Sequence, residues 1–215
     1  MKLVWDETGK RLYETGVDRG VLYPFDGKGG YTNGVAWNGL SGVTESPSGA
    51  EATALYANNV KYVTLLSAEE LGLTIEAYTY PKEFEACDGS VELADGVTIG
   101  QQDRTHFGFA YRTLVGNDQE GNSHGYKLHI VYDCLASPSE KDRSSVNDSP
   151  DVNPFSWEIS TNSVTIDGKA TAMVTIDSTV ISADKLKTIE DKLYGTASEE
   201  PTLPTPTELV ELLSA

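Results

Sequence analysis

LGLTIEAYTYPKEFEACDGS, residues Leu71 to Ser90, alternates like a strand and then breaks. Leu71, Leu73, Ile75 and Ala77 point one way and Thr74, Glu76, Tyr78 and Tyr80 the other, the period-two pattern of a strand with one drier face. Pro81 ends it, since proline has no backbone donor and a preset φ. It suits the first position of a helix, with Phe84 and Cys87 one turn apart on one side. Gly89 closes the unit as a left-handed stop. The unit is a structural device with no chemistry of its own.

Upstream, Glu51 to Ala57 and Lys61 to Ser67 flank Asn58 and Asn59, a two-residue turn of the type that closes a hairpin. This hairpin is long and lacks one clean dry side, the mark of an excursion that pairs with another chain. Further back, Val43 to Ser46 leads into a turn at Pro47, Ser48 and Gly49. Gly34 to Leu40 (GVAWNGL) is a short strand carrying Trp37, and Arg19 to Asp26 (RGVLYPFD) is a first strand ended by Pro24. Gly27, Gly29 and Gly30 read as a turn, because they lack the Walker spacing and a following helix. Met1 to Gly16 is polar, with Trp5 and Tyr13 set into it, and is expected to dock as an arm on something already folded.

Downstream, Ser90 to Ile99 holds a hairpin signal at Ala94, Asp95 and Gly96. Thr105 to Val115 is the clearest strand, with Phe107, Phe109, Tyr111, Thr113 and Val115 on one face. Gly116 to Ser123 reverses the chain, and His124 to Cys134 returns with Tyr126, Leu128, Ile130, Tyr132 and Cys134 sharing a face. Ala136 to Pro154 is a polar loop with almost nothing to bury. Phe155 to Thr161 and Thr171 to Asp177 resume the sheet, with a turn at Asp167 and Gly168 between them. Ser182 caps a helix whose Leu186, Ile189 and Leu193 fall at helical spacing, and Gly195 is placed as its C′ residue. Glu199 to Thr207 (EEPTLPTPT) is an extended linker before an apolar tail, Leu209, Val210, Leu212 and Leu213. That tail is too short to hold alone and needs a docking site.

With 215 residues and a formal net charge of −17, the chain is large enough for a proper core and too acidic to clamp phosphates. Acidic residues facing a channel would instead repel a passing duplex. Cys87 and Cys134 stand too far apart for a ligand spacing and read as free thiols in a reducing compartment. The polar N-terminus resembles neither a secretory signal nor an anchor, and no stretch approaches a transmembrane length, so synthesis and folding in a cytoplasm are expected, with no membrane contact.

No catalytic, metal or cofactor site emerges. His124 and His129 fall on opposite faces of one strand, and His106 stands apart as another strand histidine. Asn117, Asp118, Glu120 and Asn122 lack the twelve-residue calcium frame and read as a hairpin turn, while Asn147, Asp148 and Asp151 read as loop solvation. Serines occur without an elbow motif or an activating histidine. Glu83 and Glu85, or Glu76 across a strand, are the nearest thing to a glycosidase pair, in a chain where surface acids are common. The expectation is a protein that is not an enzyme.

Several stretches together resemble the major tail protein, the tail tube subunit of long, non-contractile-tailed bacteriophages (siphovirus type) of Gram-positive hosts. They are WDETGKRLYETGVDRGVLYP (Trp5 to Pro24), AWNGL (Ala36 to Leu40), LTIEAYTYPKEFEACDGS, FGFAYRTLVGND (Phe107 to Asp118), LHIVYDCLASPSE (Leu128 to Glu140), SWEISTNSV (Ser156 to Val164) and TAMVTID (Thr171 to Asp177). The resemblance spans nearly the whole chain in order. It implies a mainly β fold, a β-sandwich or barrel of the tail tube type with a flanking α-helix, N- and C-terminal arms and a long hairpin loop. Residues 1–195 would form that domain with its N-terminal arm, and residues 196–215 a proline-rich C-terminal arm.

It further implies a structural virion protein that self-assembles into stacked hexameric rings, with strands joined into a continuous inner barrel. The expected partners are other copies of itself, tape measure, distal tail and tail terminator proteins, and double-stranded DNA passing transiently through the lumen without tight binding. The hairpin of residues 51–67, the loop of residues 136–154 and both termini become contacts between subunits or rings. The competing reading is a β-sandwich module that binds carbohydrate or a host surface, motivated by Trp37, Trp157 and the tyrosines.

Overall fold

The computed structural model describes residues 2–143, 145 and 152–214. Fourteen strands and three helices follow in the order β1 (Tyr13–Pro24), β2 (Val35–Ala36), β3 (Leu40–Gly49), β4 (Ala52–Ala57), β5 (Val60–Leu66), β6 (Glu69–Ala77), α1 (Phe84–Cys87), β7 (Val91–Ala94), β8 (Val97–Ile99), β9 (Phe107–Asn117), β10 (Gly121–Ala136), β11 (Phe155–Thr161), β12 (Val164–Ile166), β13 (Lys169–Thr171), β14 (Met173–Asp177), α2 (Ala183–Tyr194) and α3 (Pro206–Ser214). The protein is mainly β, built on one eight-stranded antiparallel sheet with flanking helices. Its order is β2-β1-β9-β10-β11-β6-β3, with β14 on the remaining stretch of β10.

β10 is long enough to serve two neighbours on one edge. Lys127 to Val131 pair with β14, and Cys134 to Ala136 pair with β11. Strands from both sides of that fork share one core cluster of the sheet. The sheet's inner face holds Leu22, Trp37, Leu73, Ile75, Phe107, Phe109, Tyr111 and Trp157, closed at one end by Phe84 and Cys87 of α1. Its outer face, over β1, β9 and β10, is clad by α2, α3 and the chain leading into α3. There Tyr23, Leu128, Ile130 and Tyr132 meet Ile189, Leu193, Leu203 and Leu209.

The alternation expected of Leu71 to Ala77 holds in β6: Leu73, Ile75 and Ala77 are buried, while Thr74 and Glu76 face out. Pro81 opens a turn rather than the helix, whose first residue is Phe84. Gly89 takes the expected left-handed stop at φ 75°. Cys134 departs from its expected face. Asp133 adopts φ 47° in a bulge between Val131 and Cys134, and the extra residue flips the phase, so Tyr132 faces the helices and Cys134 the inner core.

β3 runs through Pro47, Ser48 and Gly49 instead of turning there, with Pro47 opposite Leu71. It is the last strand of the sheet, where a missing donor on the outer edge is harmless. The strand expected from Gly34 to Leu40 shrinks to β2, because Trp37 leaves the ladder to enter the core and donates its backbone N–H to the Gly20 carbonyl. Asp167 and Gly168 form the tip of a separate small hairpin, β12–β13. Gly195 follows α2 with φ 75° and ψ 172°, which is the glycine-favouring mirror-extended region rather than a left-handed cap, and Ser182 makes no side-chain capping bond.

The extended segment before α3 is packed down. Leu203 is buried, the Tyr132 hydroxyl donates to the Pro204 carbonyl and Gly34 N–H to the Pro201 carbonyl. α3 starts with a reciprocal capping box: Glu208 N–H donates to Thr205 Oγ1 while Thr205 N–H donates to Glu208 Oε2 at 2.8 Å. That bond holds the Glu208 carboxyl below its usual range. The apolar tail therefore docks on its own domain.

Candidate functional site

Over β3, β6 and β11 the outer face of the sheet has no helical cover. The residues that alternate with the core set are Thr44, Ser46 and Ser48 of β3, Glu70, Gly72, Thr74 and Glu76 of β6, and Ser156, Glu158 and Ser160 of β11. They lie side by side. Thr44 and Glu158 both pair with Thr74, Ser46 and Ser160 with Gly72, and Ser156 with Glu76. A shallow groove lined by Ser46, Glu70, Gly72, Thr74, Glu158 and Ser160 runs across this face. Short hydroxyls and carboxylates, without a lysine or arginine among these positions, make a surface that offers phosphate nothing to hold.

The same strands lead into an excursion. β3 and β6 pair from Leu40–Ala77 to Gly49–Glu69, and Ala50, whose N–H donates to the Ala68 carbonyl, carries the ladder on into β4 and β5. Gly49 (φ 81°) and Ala50 (φ 51°) kink the ribbon at its root. Asn58 and Asn59, both at positive φ, close the tip as the sequence predicts. Beyond the kink the ribbon belongs to no larger sheet. Leu55, Val63 and Leu65 share one side and Tyr56 and Leu66 the other, with Tyr62 also exposed. Glu51 and Lys61 are the only charged residues between Ala50 and Ala68.

Two more projections carry uncovered apolar groups. The hairpin β7–β8, read from Ala94-Asp95-Gly96, turns Val91, Leu93, Val97 and Ile99 to solvent. The N-terminal arm is tied to the β9–β10 turn, where Gly9 N–H donates to Asp118 Oδ1 and the Tyr13 hydroxyl to Asn122 Oδ1. Its Leu3, Val4 and Trp5 stay exposed, so the expected docking takes place only at the arm's root.

The residues weighed for chemistry do not converge. His106 Nδ1 bonds Asp133 at 2.5 Å, and His124 Nδ1 bonds Glu120 at 2.7 Å. His129 is buried, stacked on Tyr111 with ring centroids 4.5 Å apart, and bonds Thr113 Oγ1 at 2.9 Å. Burial lowers its pKa against the opposing pull of Glu45, 3.8 Å away. Asn117 Oδ1 accepts from the N–H groups of Gln119 and Glu120, which makes the acidic loop a hairpin turn. Glu83 and Glu85 sit on or beside α1, apart from Glu76 on the bare face. Asn147, Asp148 and Asp151 lie outside the described residues, as does most of the middle of the polar loop.

Among the described residues no three metal-ligating side chains come together. Both cysteines are buried and free, and burial pushes the Cys87 thiol up to about 12. Trp37 and Trp157 are core residues in T-shaped contact, so neither tryptophan is available to the aromatic platform that motivated a glycan-binding reading.

Two features escaped sequence reasoning. The capping box at Thr205 and Glu208 was legible from its spacing. The bare face was not, because β3, β6 and β11 become neighbours only through the fold. No described helix is long and apolar enough to cross a membrane.

No family model matches the chain, and no curated protein does. Among solved structures it is similar to a chain of the six-fold symmetrised baseplate of the anti-feeding prophage. The identity is 11%, covering 84% of this chain and 100% of that one, with a TM-score of 0.38. It is also similar to a chain of the extended sheath–tube complex of an extracellular contractile injection system (PVC). Here the identity is 12%, covering 74% and 88%, with a TM-score of 0.30. Scores this low leave any strand-by-strand correspondence undefined.

Proposed function

We propose that this chain is a structural, non-enzymatic subunit of a phage tail that self-assembles into stacked hexameric rings, forming the tube through which DNA is ejected. The observation that carries the reading is the half-clad sheet. Helices cover the outer face of β1, β9 and β10, while β3, β6 and β11 turn hydroxyls and carboxylates outward and end in the unpaired edge of β3. A ring built by joining such edges would place the bare face on its lumen and leave the helices outside. Glu70, Glu76 and Glu158 would then line the channel.

The ribbon β4–β5 supports the same reading, since an isolated hairpin with large apolar groups on both faces is marginal in water and gains by being covered on both. In this role the chain's partners are its own copies, then the tape measure, distal tail and tail terminator proteins at the ends of the tube. DNA passes without tight binding. Its place is the virion tail, after folding in the host cytoplasm. Residues 1–195 act as the tube domain and residues 196–215 as the arm that seals its helical side.

Electron microscopy of the purified protein and of particles tests this. Stacked six-membered rings with a central channel are expected, whereas a monomer at every concentration, absent from particles, overturns it. Glycan binding seen by calorimetry in such a monomer would favour the binding-module reading instead.

A further inference from the structure

Leu3, Val4 and Trp5 are three consecutive large apolar residues held in water, with Trp5 at 74% exposure. The same chain carries an apolar groove of about 370 Å³ between β1 and the end of α2, lined by Val21, Ala36, Leu193, Tyr194 and Pro201, with the exposed Arg19 at its rim. The Tyr194 hydroxyl there is buried without a hydrogen-bond partner. Arg19 lies over the Tyr194 ring at 5.6 Å, in a left-handed backbone conformation (φ 50°), and makes no ion pair among the described residues. The volume falls within the roughly 300–1,000 Å³ of binding pockets, large enough for an indole ring.

The arm falls short of its own groove. Gly9 is tied to the β9–β10 turn, since its carbonyl accepts from Asn117 Nδ2 and its N–H donates to Asp118. Val21, in the groove, stands opposite Ala110 of β9. From Ala110 to Asn117 a strand rises about 23 Å, while the four residues from Gly9 back to Trp5 span at most about 14 Å. A left-handed residue at Asp6 (φ 53°) and the turn from Glu7 to Lys10 shorten that reach further. Arm and groove thus sit toward opposite ends of β1.

Resting on the proposed self-assembly, we infer that Trp5 of one copy seats in the β1–α2 groove of a second copy, with Asp6 facing Arg19. The charges complement: the Asp6 carboxylate is free of ion pairs among the described residues, as the Arg19 guanidinium is. Guanidinium over an aromatic face favours an indole at the same rim. The contact is head-to-tail, because it joins two different patches, and it propagates from copy to copy.

The experiment mixes two full-length variants, Trp5→Cys and Ala36→Cys, and oxidises the mixture. The native thiols, Cys87 and Cys134, are buried. A disulfide dimer joining one variant to the other is expected, with neither variant alone giving it. Trp5→Ala should raise the concentration for half-association about tenfold at unchanged Tm. Asp6→Arg should do the same, and combining it with Arg19→Asp should restore assembly. Tubes that form without the cross-link, and are indifferent to Trp5→Ala, overturn this inference and leave the tube reading standing. A wild-type protein that never self-associates overturns both.

Discussion

At the residue scale, His129 is the group whose surroundings make the clearest demand. It is packed between Thr113 and Thr175, stacked on Tyr111, and faced by Glu45 of β3, Lys127 of its own strand and, beyond it, Glu14 of β1. Desolvation outweighs the carboxylates, and its folded pKa lies below that of a free imidazole. The stability it contributes is complete above about pH 6.5. It is lost as pH falls through the lower folded value, because the unfolded chain then binds the extra proton. His129→Gln should therefore flatten the fall in Tm between pH 7 and pH 5, measured by thermal denaturation; an unchanged profile would refute the assignment.

Asp133 shows how one residue limits sequence reading. Nothing in LHIVYDCLA marks a bulge, and yet φ 47° at Asp133 sends Cys134 and Ala136 to the inner core while Tyr132 stays with the helices. Its N–H is held by the Tyr31 hydroxyl and its side chain by His106, both far away in sequence. A local pattern cannot contain that information.

At the element scale, the strands and turns that depend on neighbours in sequence were legible. The alternation of β6, the Asn58-Asn59 turn, the α2 stripe and the Phe107, Phe109, Tyr111 face follow from periodicity and turn chemistry. What depended on sheet position was not. Pro47 reads as a stop until β3 is known to be an edge strand, and the extended Leu203 and Pro204 read as a linker until Tyr132 is found beneath them. The candidate channel face was illegible for the same reason, since its acids come from strands that meet only in the sheet.

The ribbon kink belongs to this scale too. Gly49 holds φ 81°, and a Cβ there would lie 2.2 Å from the Ala68 carbonyl oxygen. Gly49→Ala should cost about 1–3 kcal/mol in urea denaturation or else swing the ribbon and impair assembly. A variant unchanged in both would show that the kink is dispensable.

At the scale of the whole molecule, one half of the sheet is clad by helices and the other is bare, and the proposed tube reading gives transport to the bare half. The clad half is pinned by contacts such as the two-pronged Arg112–Asp18 pair, with Arg112 4.7 Å from the Tyr126 ring centroid and the Tyr126 hydroxyl donating to Glu190 of α2. On the bare half Glu70, Glu76 and Glu158 make no ion pair among the described residues, and Ser160 donates its hydroxyl to the Leu135 carbonyl. Replacing Glu70, Glu76 and Glu158 together by lysine should leave rings and Tm intact, slow DNA release, and make that release accelerate with added salt as phosphate contacts are screened. Ejection kinetics indistinguishable from wild type would remove the channel role from this face.

The bare face of β3, β6 and β11 is also thermodynamically quiet. Its Thr44, Ser46, Ser48, Glu70, Glu76 and Glu158 are exposed in the folded subunit, so exchanging one short polar group for another at those positions moves folding free energy very little. Selection for a stable subunit has no grip on those positions, and a screen for folded protein would pass almost any polar residue placed in them. On the proposed tube reading, what keeps lysine and arginine off that surface acts after folding, on the DNA that would move across it.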